Sequence, residues 1–370
     1  MRKFFTLSSL LALSLTACGA GDSGSIKIGF IGPLTGDAAA YGVDTLNGAK
    51  MKAEEINAAG GINGRMIEFV VEDGKCAGAD AATAAQKLVN VDKVVAIIGG
   101  QCSGETLAAA PIAESAKIPM ISAISSSPDV TTAGEFIFRD YPSDALKTKA
   151  MAAYFIEKGF SKIAIIAENT DFAVGFRDSL VKDVGADKFV FNEVVEPSTK
   201  DYRSLVTRLK DVDFDVFVAD GQSPATIVAM IQQMREQDIQ TLVITHDAGQ
   251  TSETLTLGGE AVEGLQAINV PSVSDASVFG AAHIAKYGQP QGALVYAAFA
   301  YDAMGILAQA ISSVGTDGVA IKDALMAMPS YAGTVGALSF DANGDVKGVN
   351  YKLIEVQKGA WVELKDVVVK

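Results

Sequence analysis

The sequence VVAIIGGQCSGETLAAAPIAE, at residues 94–114, contains a strand, a turn and the start of a helix, and this succession decides the fold. An apolar run typical of a buried strand ends at Gly99-Gly100, a polar turn that includes Cys102 follows, and an alanine-rich helical segment comes next. Backbone N–H groups at such a turn and the positive end of the helix dipole favour an anion. The stretch therefore predicts a turn that binds an anion, with Cys102 either as a nucleophile or as one half of a disulfide.

Strands and helices alternate through the first two thirds of the chain. Strands are predicted at residues 26–32, 66–73, 94–100 and 118–125, and helices at residues 44–59 and 79–91. The alternation restarts after residues 141–143, with strands at residues 162–168, 188–195, 214–220 and 241–247 and helices at residues 147–158, 175–184, 202–210 and 225–237. The pattern predicts an α/β fold in which parallel sheets are flanked by helices. In such sheets, ligands bind beyond the carboxyl ends of the strands.

The last third of the chain does not continue the alternation of strands and helices. Sequence beyond residue 271 is rich in helix-forming residues and includes a long predicted helix at residues 292–313. The tail contains two alternating runs joined by Asn343-Gly344, which is a strong hairpin signal. After the N-terminal segment, no stretch reads as long and apolar enough to predict a transmembrane helix.

The N-terminus has the features of an export signal. Arg2 and Lys3 form a short basic region, an apolar run follows, and the sequence Leu-Thr-Ala-Cys ending at Cys18 resembles the bacterial lipobox, in which the cysteine is acylated. We therefore predict a lipoprotein signal peptide at residues 1–17, a lipid anchor at Cys18 and a flexible tether at residues 18–25. The alternative is an ordinary secretion signal with an incidental cysteine. Either interpretation places the protein outside the cytoplasm, in the periplasm or an equivalent compartment.

Several classes of function are disfavoured by composition and spacing. The formal net charge of −14 argues against binding to nucleic acid or to an anionic membrane surface. His246 and His283 are far apart and lack a cysteine cluster, so they predict no zinc site. Residues 341–345 begin like a calcium loop, but the glycine and glutamate that such a loop needs are absent, and a hairpin turn is the better interpretation. No phosphate-binding glycine motif is present, so we predict no cofactor and no metal.

Two cysteines remain once Cys18 is assigned to the anchor. In an oxidising compartment, Cys76 and Cys102 predict one disulfide, which closes a loop of about 26 residues and stabilises the fold by roughly 3 kcal/mol. The competing hypothesis is an exported cysteine hydrolase, because residues 100–104 fit the G-x-C-x-G pattern of a nucleophile elbow. With only two histidines available as a partner, the disulfide is the favoured interpretation.

Five segments resemble a known family, the leucine/isoleucine/valine-type substrate-binding proteins of ABC transporters. They are IGPLTGDAAAYGVDTLNGAKMKAEEINAAGGINGR, IIGGQCSGETLAAAPIAE, IPMISAISSSPDVT, VFVADGQSPATIVAMIQQM and TSETLTLGGEAVEGL. The resemblance implies a type I periplasmic binding fold, in which two α/β lobes joined by three crossovers close over a ligand like a hinged trap. It implies a lobe 1 of residues 26–141 and 271–335, a lobe 2 of residues 142–270 and 336–370, and a monomer.

The same resemblance assigns ligand contacts to particular residues. In amino-acid binders of this family, hydroxyl and backbone N–H groups after the third and fourth strands of lobe 1 hold the ligand carboxylate, at positions that match Ser103, Ser125 and Ser126. The acidic partner of the ligand ammonium matches Asp247, and an aromatic ring over the ligand side chain matches Tyr41. Each residue has an alternative role: the serines as helix caps, Asp247 as a loop or cap residue, and Tyr41 as packing at the edge of the lobe.

Two positions depart from the family pattern. A tyrosine that touches the ligand from lobe 2 is replaced by Phe172, and a second aromatic position falls near Gln222, beside the added acid Asp220. Asp171 adds another carboxylate next to Phe172. These changes favour a polar or cationic ligand side chain, although aspartates at strand ends are also common turn residues.

The sequence therefore favours a binding protein without enzymatic activity. We expect it to capture an amino acid, branched-chain or related, and to deliver it to an ABC permease. The alternatives are a binding protein for a polar or basic amino acid or a small amide, an anchored sensory domain, a hydrolase that uses Cys102, and a sugar-binding protein of the same two-lobed shape.

Overall fold

The computed structural model describes residues 24–368. The predicted signal peptide at residues 1–17, the lipid anchor at Cys18 and all but the last two residues of the tether lie outside the described residues.

The first sheet is entirely parallel and has the strand order β2-β1-β3-β4-β5. Its strands are β1 (Ile26–Gly32), β2 (Ile67–Asp73), β3 (Ala96–Ile98), β4 (Met120–Ser122) and β5 (Ile137–Arg139). The helices between them are α1 (Ala39–Ala58), α2 (Gly78–Lys87) and α3 (Ser103–Ala116). We call this unit lobe 1. Predicted strand 118–125 shortens to β4 because the serines that follow Ser122 bond to the preceding turn and to the next helix instead of a neighbouring strand.

The second sheet begins with five parallel strands and defines lobe 2. These strands are β6 (Ile163–Glu168), β7 (Phe189–Val195), β8 (Val216–Asp220), β9 (Leu242–Thr245) and β10 (Gln266–Asn269). The helices of this unit are α4 (Asp144–Lys158), α5 (Asp171–Val184), α6 (Arg203–Lys210), α7 (Pro224–Glu236) and α8 (Ser252–Gly258). Strands β6, β8 and β9 are buried almost throughout, as expected for a parallel sheet covered by helices on both faces. The alternation predicted from the sequence is confirmed.

The last part of the chain contributes to both lobes. Its helices are α9 (Val278–Tyr287), α10 (Leu294–Val314) and α11 (Gly318–Ala327), and its strands are β11 (Tyr331–Gly333), β12 (Gly336–Phe340), β13 (Val346–Lys347), β14 (Tyr351–Gln357) and β15 (Ala360–Val367). Helix α10 packs against α1 at very short range, since a Cβ on Gly48 would lie 1.9 Å from the carbonyl oxygen of Ala297. This helix therefore belongs with lobe 1.

The tail forms two hairpins where the sequence predicted one. A hairpin does form around Asn343-Gly344, where β12 pairs with β13, but β12 also pairs with β11, so the three strands form a separate antiparallel sheet. The hairpin that extends the second sheet is β14–β15, with β14 antiparallel to β10 and a turn at Lys358-Gly359, both at positive φ. The second alternating run does not pair directly across Asn343-Gly344, because the chain turns again at Gly348 (φ 86°) before β14 begins. The lobe boundaries stay a prediction.

Helix α10 corrects a second prediction. Its 21 residues are long and apolar enough to cross a membrane by length and composition, whereas the sequence analysis predicts no transmembrane helix in this part of the chain. However, 89% of its most apolar window is buried inside the protein, where it packs against α1 and the first sheet. Its apolar composition is therefore that of a core helix.

The chain segments that cross between the lobes are tied to one another. Tyr141, which follows β5, donates a hydrogen bond to Asn269 Oδ1 at the end of β10 (2.8 Å). Asp302 on α10 accepts hydrogen bonds from the backbone N–H groups of Thr334 (2.9 Å) and Val335 (3.2 Å) on the third crossing. The first bond joins two of the crossings to each other, and the bonds of Asp302 join the third crossing to lobe 1.

A buried arginine connects the small third sheet to lobe 1 through an ion pair. Arg139, at the end of β5, is fully buried and forms a two-pronged ion pair with Asp345, with N–O distances of 2.6 and 2.9 Å. The same guanidinium donates to the carbonyl of Ser127 (2.7 Å) and to the hydroxyl of Thr131 (2.6 Å), in the loop after β4. One side chain therefore holds three segments of the chain together.

Replacing Asp345 with alanine leaves the buried guanidinium of Arg139 without its carboxylate. We expect Asp345→Ala to lower the free energy of unfolding by about 3 kcal/mol, because an unpaired buried charge is strongly destabilising. Urea unfolding followed by circular dichroism measures this loss. Asp213→Ala is the matched control, since it removes the exposed partner of Lys162 and should leave the unfolding midpoint unchanged. Equal losses in the two variants would contradict the role assigned to Arg139.

Candidate ligand-binding cleft

The candidate site is a small pocket between the two lobes, with a cavity volume of about 30 Å³. All but one of its lining residues follow the carboxyl end of a strand, and Tyr296 on α10 completes it. The lining residues are Tyr41, Gln101, Cys102, Ser103, Ile124, Phe172, Gln222, Asp247, Ala248 and Tyr296. The position of the pocket follows from the parallel topology, which gathers these strand ends at one edge of each sheet.

The N-terminus of α3 faces this pocket. Glu105 caps the helix from inside, because its carboxylate accepts the backbone N–H groups of Gln101 (2.9 Å), Cys102 (3.0 Å) and Cys76 (2.8 Å). Burial raises the pKa of Glu105 to about 7, so the carboxyl group carries less negative charge at this end of the helix than an exposed one would. The first N–H groups of the helix, at Ser103 and Gly104, have no acceptor within the helix. Such N–H groups can bind an anion, and the anion-binding role of this turn stays a prediction.

The predicted disulfide joins Cys76 to Cys102, with a Cα–Cα distance of 5.3 Å. This confirms the pairing of the two cysteines. The bond connects the turn after β2 to the residue that precedes α3, and so it holds the start of that helix in place. Cys102 has no free thiol in this form, so the hydrolase interpretation loses its nucleophile.

The three serines predicted to hold a carboxylate have different surroundings. Ser103 lines the pocket, and its hydroxyl accepts the backbone N–H of Ser127 (3.1 Å). The Ser125 hydroxyl lies behind the pocket and bonds to Thr106 (2.6 Å) and to the carbonyl of Gly100 (3.0 Å). The Ser126 hydroxyl donates to Asp144 (2.9 Å). The side chains of Ser125 and Ser126 therefore support the turn and are not among the pocket-lining groups.

Asp247 lines the pocket from lobe 2, but its carboxylate already has a partner. The ammonium of Lys147, on α4, bonds to Asp247 Oδ1 and lies 2.7 Å from Asp144 Oδ1. Burial opposes ionisation of Asp247, yet the Lys147 cation holds the pKa of that carboxyl below its usual range. For Lys147, burial is likewise outweighed by the two carboxylates, which raise its pKa. Burial raises the pKa of Asp144 despite the nearby cation.

Sequence reasoning missed Lys147 and Asp144 as site residues. The signal was present, because Asp144 and Lys147 are three residues apart and therefore share one face of a helix. Such pairs usually lie on solvated helix faces, and a lysine is almost never fully buried without a partner. Only the packing of α4 beneath the cleft distinguishes this pair from an ordinary surface pair.

Asp220 is buried behind the pocket and does not line it. Its Oδ1 lies 3.0 Å from His246 Nε2, and the His246 ring packs edge-on against Phe172 and Phe176, each at 4.8 Å between centroids. Burial raises the pKa of Asp220 well above its usual value and lowers that of His246 to about 3, so both groups tend toward their neutral forms. Asp171 borders a separate groove at the start of α5. Neither added acid is a pocket-lining group.

Side chains that line the pocket donate hydrogen bonds across the cleft and join the lobes. The Tyr41 hydroxyl donates to the carbonyl of Ala248 (2.8 Å), and the Tyr296 hydroxyl donates to the carbonyl of Asp247 (2.7 Å). Burial raises the pKa of both phenols well above the usual value, so they remain protonated donors. On the opposite side, the Gln222 amide bonds to Cys76 Sγ (3.0 Å). Tyr296 carries no sequence signal of a site, because it lies within the long apolar helix α10.

Two lobes that enclose a pocket between strand ends, joined by several chain crossings, define the class of solute-binding proteins. The chain belongs to the periplasmic binding protein family, whose model matches residues 25–360. This finding confirms the family and the type I fold predicted from the sequence. Among the residues from 24 to 368, no group of three or more histidine, cysteine or acidic side chains is arranged to hold a metal ion.

Similar proteins and structures agree with this assignment. A leucine-, isoleucine-, valine-, threonine- and alanine-binding protein of Pseudomonas aeruginosa is 30% identical over 346 residues, which cover 91% of each chain. A leucine-binding protein from Thermotoga maritima superposes with a TM-score of 0.84 at 25% identity, over 92% of this chain and 98% of the other. A branched-chain amino acid transporter substrate-binding protein from Streptococcus pneumoniae, in complex with isoleucine, gives a TM-score of 0.82 at 28% identity, over 92% and 99%.

The disulfide can be tested chemically. We expect neither Cys76 nor Cys102 to react with an alkylating reagent in the native, unreduced protein, and mass spectrometry of the digested chain reports each position separately. The double variant Cys76→Ser/Cys102→Ser should lose about 3 kcal/mol of unfolding free energy, since its unfolded chain is no longer cross-linked. Alkylation of Cys102 without prior reduction would contradict the pairing and return the nucleophile to consideration.

Proposed function

We propose that the protein captures an aliphatic amino acid in the cleft and delivers it to an ABC permease, without chemistry of its own. The observation that carries this proposal is the opposed polarity of the pocket. Its lobe 1 wall is the N-terminus of α3, and its lobe 2 wall is the carboxylate of Asp247. A helix N-terminus attracts a carboxylate, and a carboxylate attracts an ammonium, so the two walls are complementary to a zwitterion.

The side chains between these walls favour an aliphatic ligand over a basic one. Ile124, Phe172 and the ring of Tyr41 line the space beside the two polar ends. Asp247 is the only charged side chain among the described residues that line the pocket, so a second cationic group on the ligand has no partner. Asp220 and Asp171, which suggested a cationic ligand, face other surroundings. The names of the similar proteins support the same ligand class.

For delivery to a permease, the ligand-bound protein must differ in conformation from the ligand-free protein. The Tyr41 and Tyr296 hydrogen bonds join lobe 1 to the turn that carries Asp247, so they form only when the lobes are together. A ligand that bridges the same two walls therefore stabilises the closed form. We further propose that Cys18 carries a lipid that anchors the protein, as a monomer, to a membrane that faces the periplasm or its equivalent.

A thermal-shift panel tests the ligand class. The protein is unfolded and refolded to remove bound solute, then heated with each common amino acid, ornithine, small amides and sugars. Leucine, isoleucine or valine should raise the melting temperature, since a ligand at a thousand times its Kd stabilises by about 4 kcal/mol. Leucine without its carboxylate (3-methylbutylamine) is the control and should give no shift. A shift with lysine or ornithine alone, or with sugars alone, would overturn the aliphatic assignment.

Removing one interlobe hydrogen bond should weaken binding without unfolding the protein. Tyr41→Phe leaves the carbonyl of Ala248 without its donor only in the closed form, so we expect the Kd for leucine to rise about tenfold, equivalent to roughly 1.4 kcal/mol. Tyr154→Phe is the matched control, because the Tyr154 hydroxyl bonds to Gln266 within lobe 2 (2.6 Å). It should change stability and leave the Kd unchanged. Calorimetric titration measures both variants, and an unchanged Kd in Tyr41→Phe would refute the closure role.

A further inference from the structure

The buried charged residues beneath Asp247 indicate how the site responds when it binds a ligand ammonium. This inference rests on the proposed amino-acid ligand. We propose that Asp144, Lys147 and Asp247 act as one proton-exchanging triad, so that an ammonium group that binds at Asp247 releases a proton from the triad to solvent. Asp144 and Lys147 then belong to the binding machinery as positioning residues, although neither lines the pocket.

The geometry places one cation between two carboxylates. Lys147 is fully buried, and its Nζ contacts Oδ1 of both Asp144 and Asp247. Asp144 is also fully buried, and its other oxygen lies 2.9 Å from the hydroxyl of Ser126, to which a protonated Asp144 can donate. Asp247 is the one member that reaches the pocket, with 5% of its surface exposed. A ligand ammonium at Asp247 would therefore bind to a cluster whose remaining charges have no access to water.

To keep the buried cluster neutral, the gain of a ligand ammonium must be matched by the loss of a proton. Burying a net charge is costly, so the ligand-free cluster is most stable when neutral, with Lys147 and Asp247 ionised and Asp144 protonated. The pKa of Asp144 is raised by burial, in agreement with this state. When a ligand ammonium binds, two cations face one carboxylate unless Asp144 ionises. Loss of the Asp144 proton restores neutrality, and the proton passes to the buffer.

The other titratable groups around Asp144 do not supply this proton. The groups that face the triad from the adjoining elements are Tyr41, Tyr141, Asp220, His246, Tyr296 and Tyr351. Burial raises the pKa of the four tyrosines and of Asp220 and lowers that of His246, so each tends to remain neutral as the ligand binds. The charge of the ligand carboxylate is met on the other wall, by the N-terminus of α3.

Isothermal titration calorimetry of the refolded protein with leucine measures the exchange directly. Titrations in phosphate and in Tris, which differ in ionisation enthalpy, should give different heats that correspond to about one proton released per leucine bound. The affinity should rise by up to about tenfold per pH unit, until Asp144 is ionised in the free protein as well. Leucine without its ammonium (4-methylpentanoate) should bind with no proton release.

The variant Asp144→Asn separates the triad from a purely structural role. It keeps the shape of the side chain but has no proton to lose, so leucine should bind at least tenfold more weakly and without dependence on the buffer. Binding of 4-methylpentanoate should be unchanged, because it adds no cation. Asp183→Asn is the control, since Asp183 on α5 accepts a hydrogen bond from Thr148 on α4 (2.7 Å) and lies outside the triad. It should behave as the unaltered protein.

The outcomes distinguish this inference from the function on which it rests. Equal heats of leucine binding in the two buffers at every pH would overturn the triad and leave the amino-acid proposal standing. Binding of neither leucine nor any other amino acid would contradict the proposed function itself. The titration of the unaltered protein decides the question even if Asp144→Asn does not fold.

Discussion

The cleft depends on a constraint of parallel β-sheets. Each parallel strand must be followed by a crossover, so the carboxyl ends of all strands meet at one edge, and the turns that leave them cluster there. In this protein two such edges face each other. The turns after β3 and β4 meet the turns after β6, β8 and β9, and the crossings near Tyr141, Asn269 and Thr334 hold that arrangement. A site made in this way has one half on each lobe, so the proposed function couples its occupation to its closure.

The chemistry of the cleft depends on which polar groups each lobe buries and on how those groups are paired. Lobe 1 offers N–H groups at the start of α3, while Glu105 and the disulfide hold the turn from behind. Lobe 2 offers a single carboxylate, Asp247, whose charge is shared with Lys147. Carboxylates that reach the interior without a full countercharge, such as Asp220 and Asp144, have a raised pKa. Desolvation thus decides which of the many acids in this acidic chain are available to a ligand.

Much of the fold and part of the site could be predicted from residues alone. Alternating strands and helices indicated two parallel units, and the turn at residues 101–105 indicated an anion site before any family resemblance was considered. Among the residues that the resemblance indicated, Tyr41, Ser103, Phe172, Gln222 and Asp247 do line the pocket. The serines at positions 125 and 126 carried the same signal as Ser103. Hydroxyl groups near a strand end can point forward to a ligand or backward to the preceding turn, and local sequence does not distinguish these directions.

The sequence by itself determined the class of fold and the order of its elements, because periodicity and spacing are local properties of the chain. It also indicated the family, through five resembling segments, and the pairing of Cys76 with Cys102, because only two cysteines remain after Cys18. Tertiary structure alone decided that Lys147 lies beneath Asp247, that Tyr296 reaches across the cleft, and that the tail forms a second hairpin at β14–β15. Lys147 and Asp247 are 100 residues apart, and Tyr296 is 49 residues from Asp247. Contacts of this kind depend on how separate elements pack. The charge state of a buried group depends on the partner that packing places beside it, and local sequence does not specify that partner.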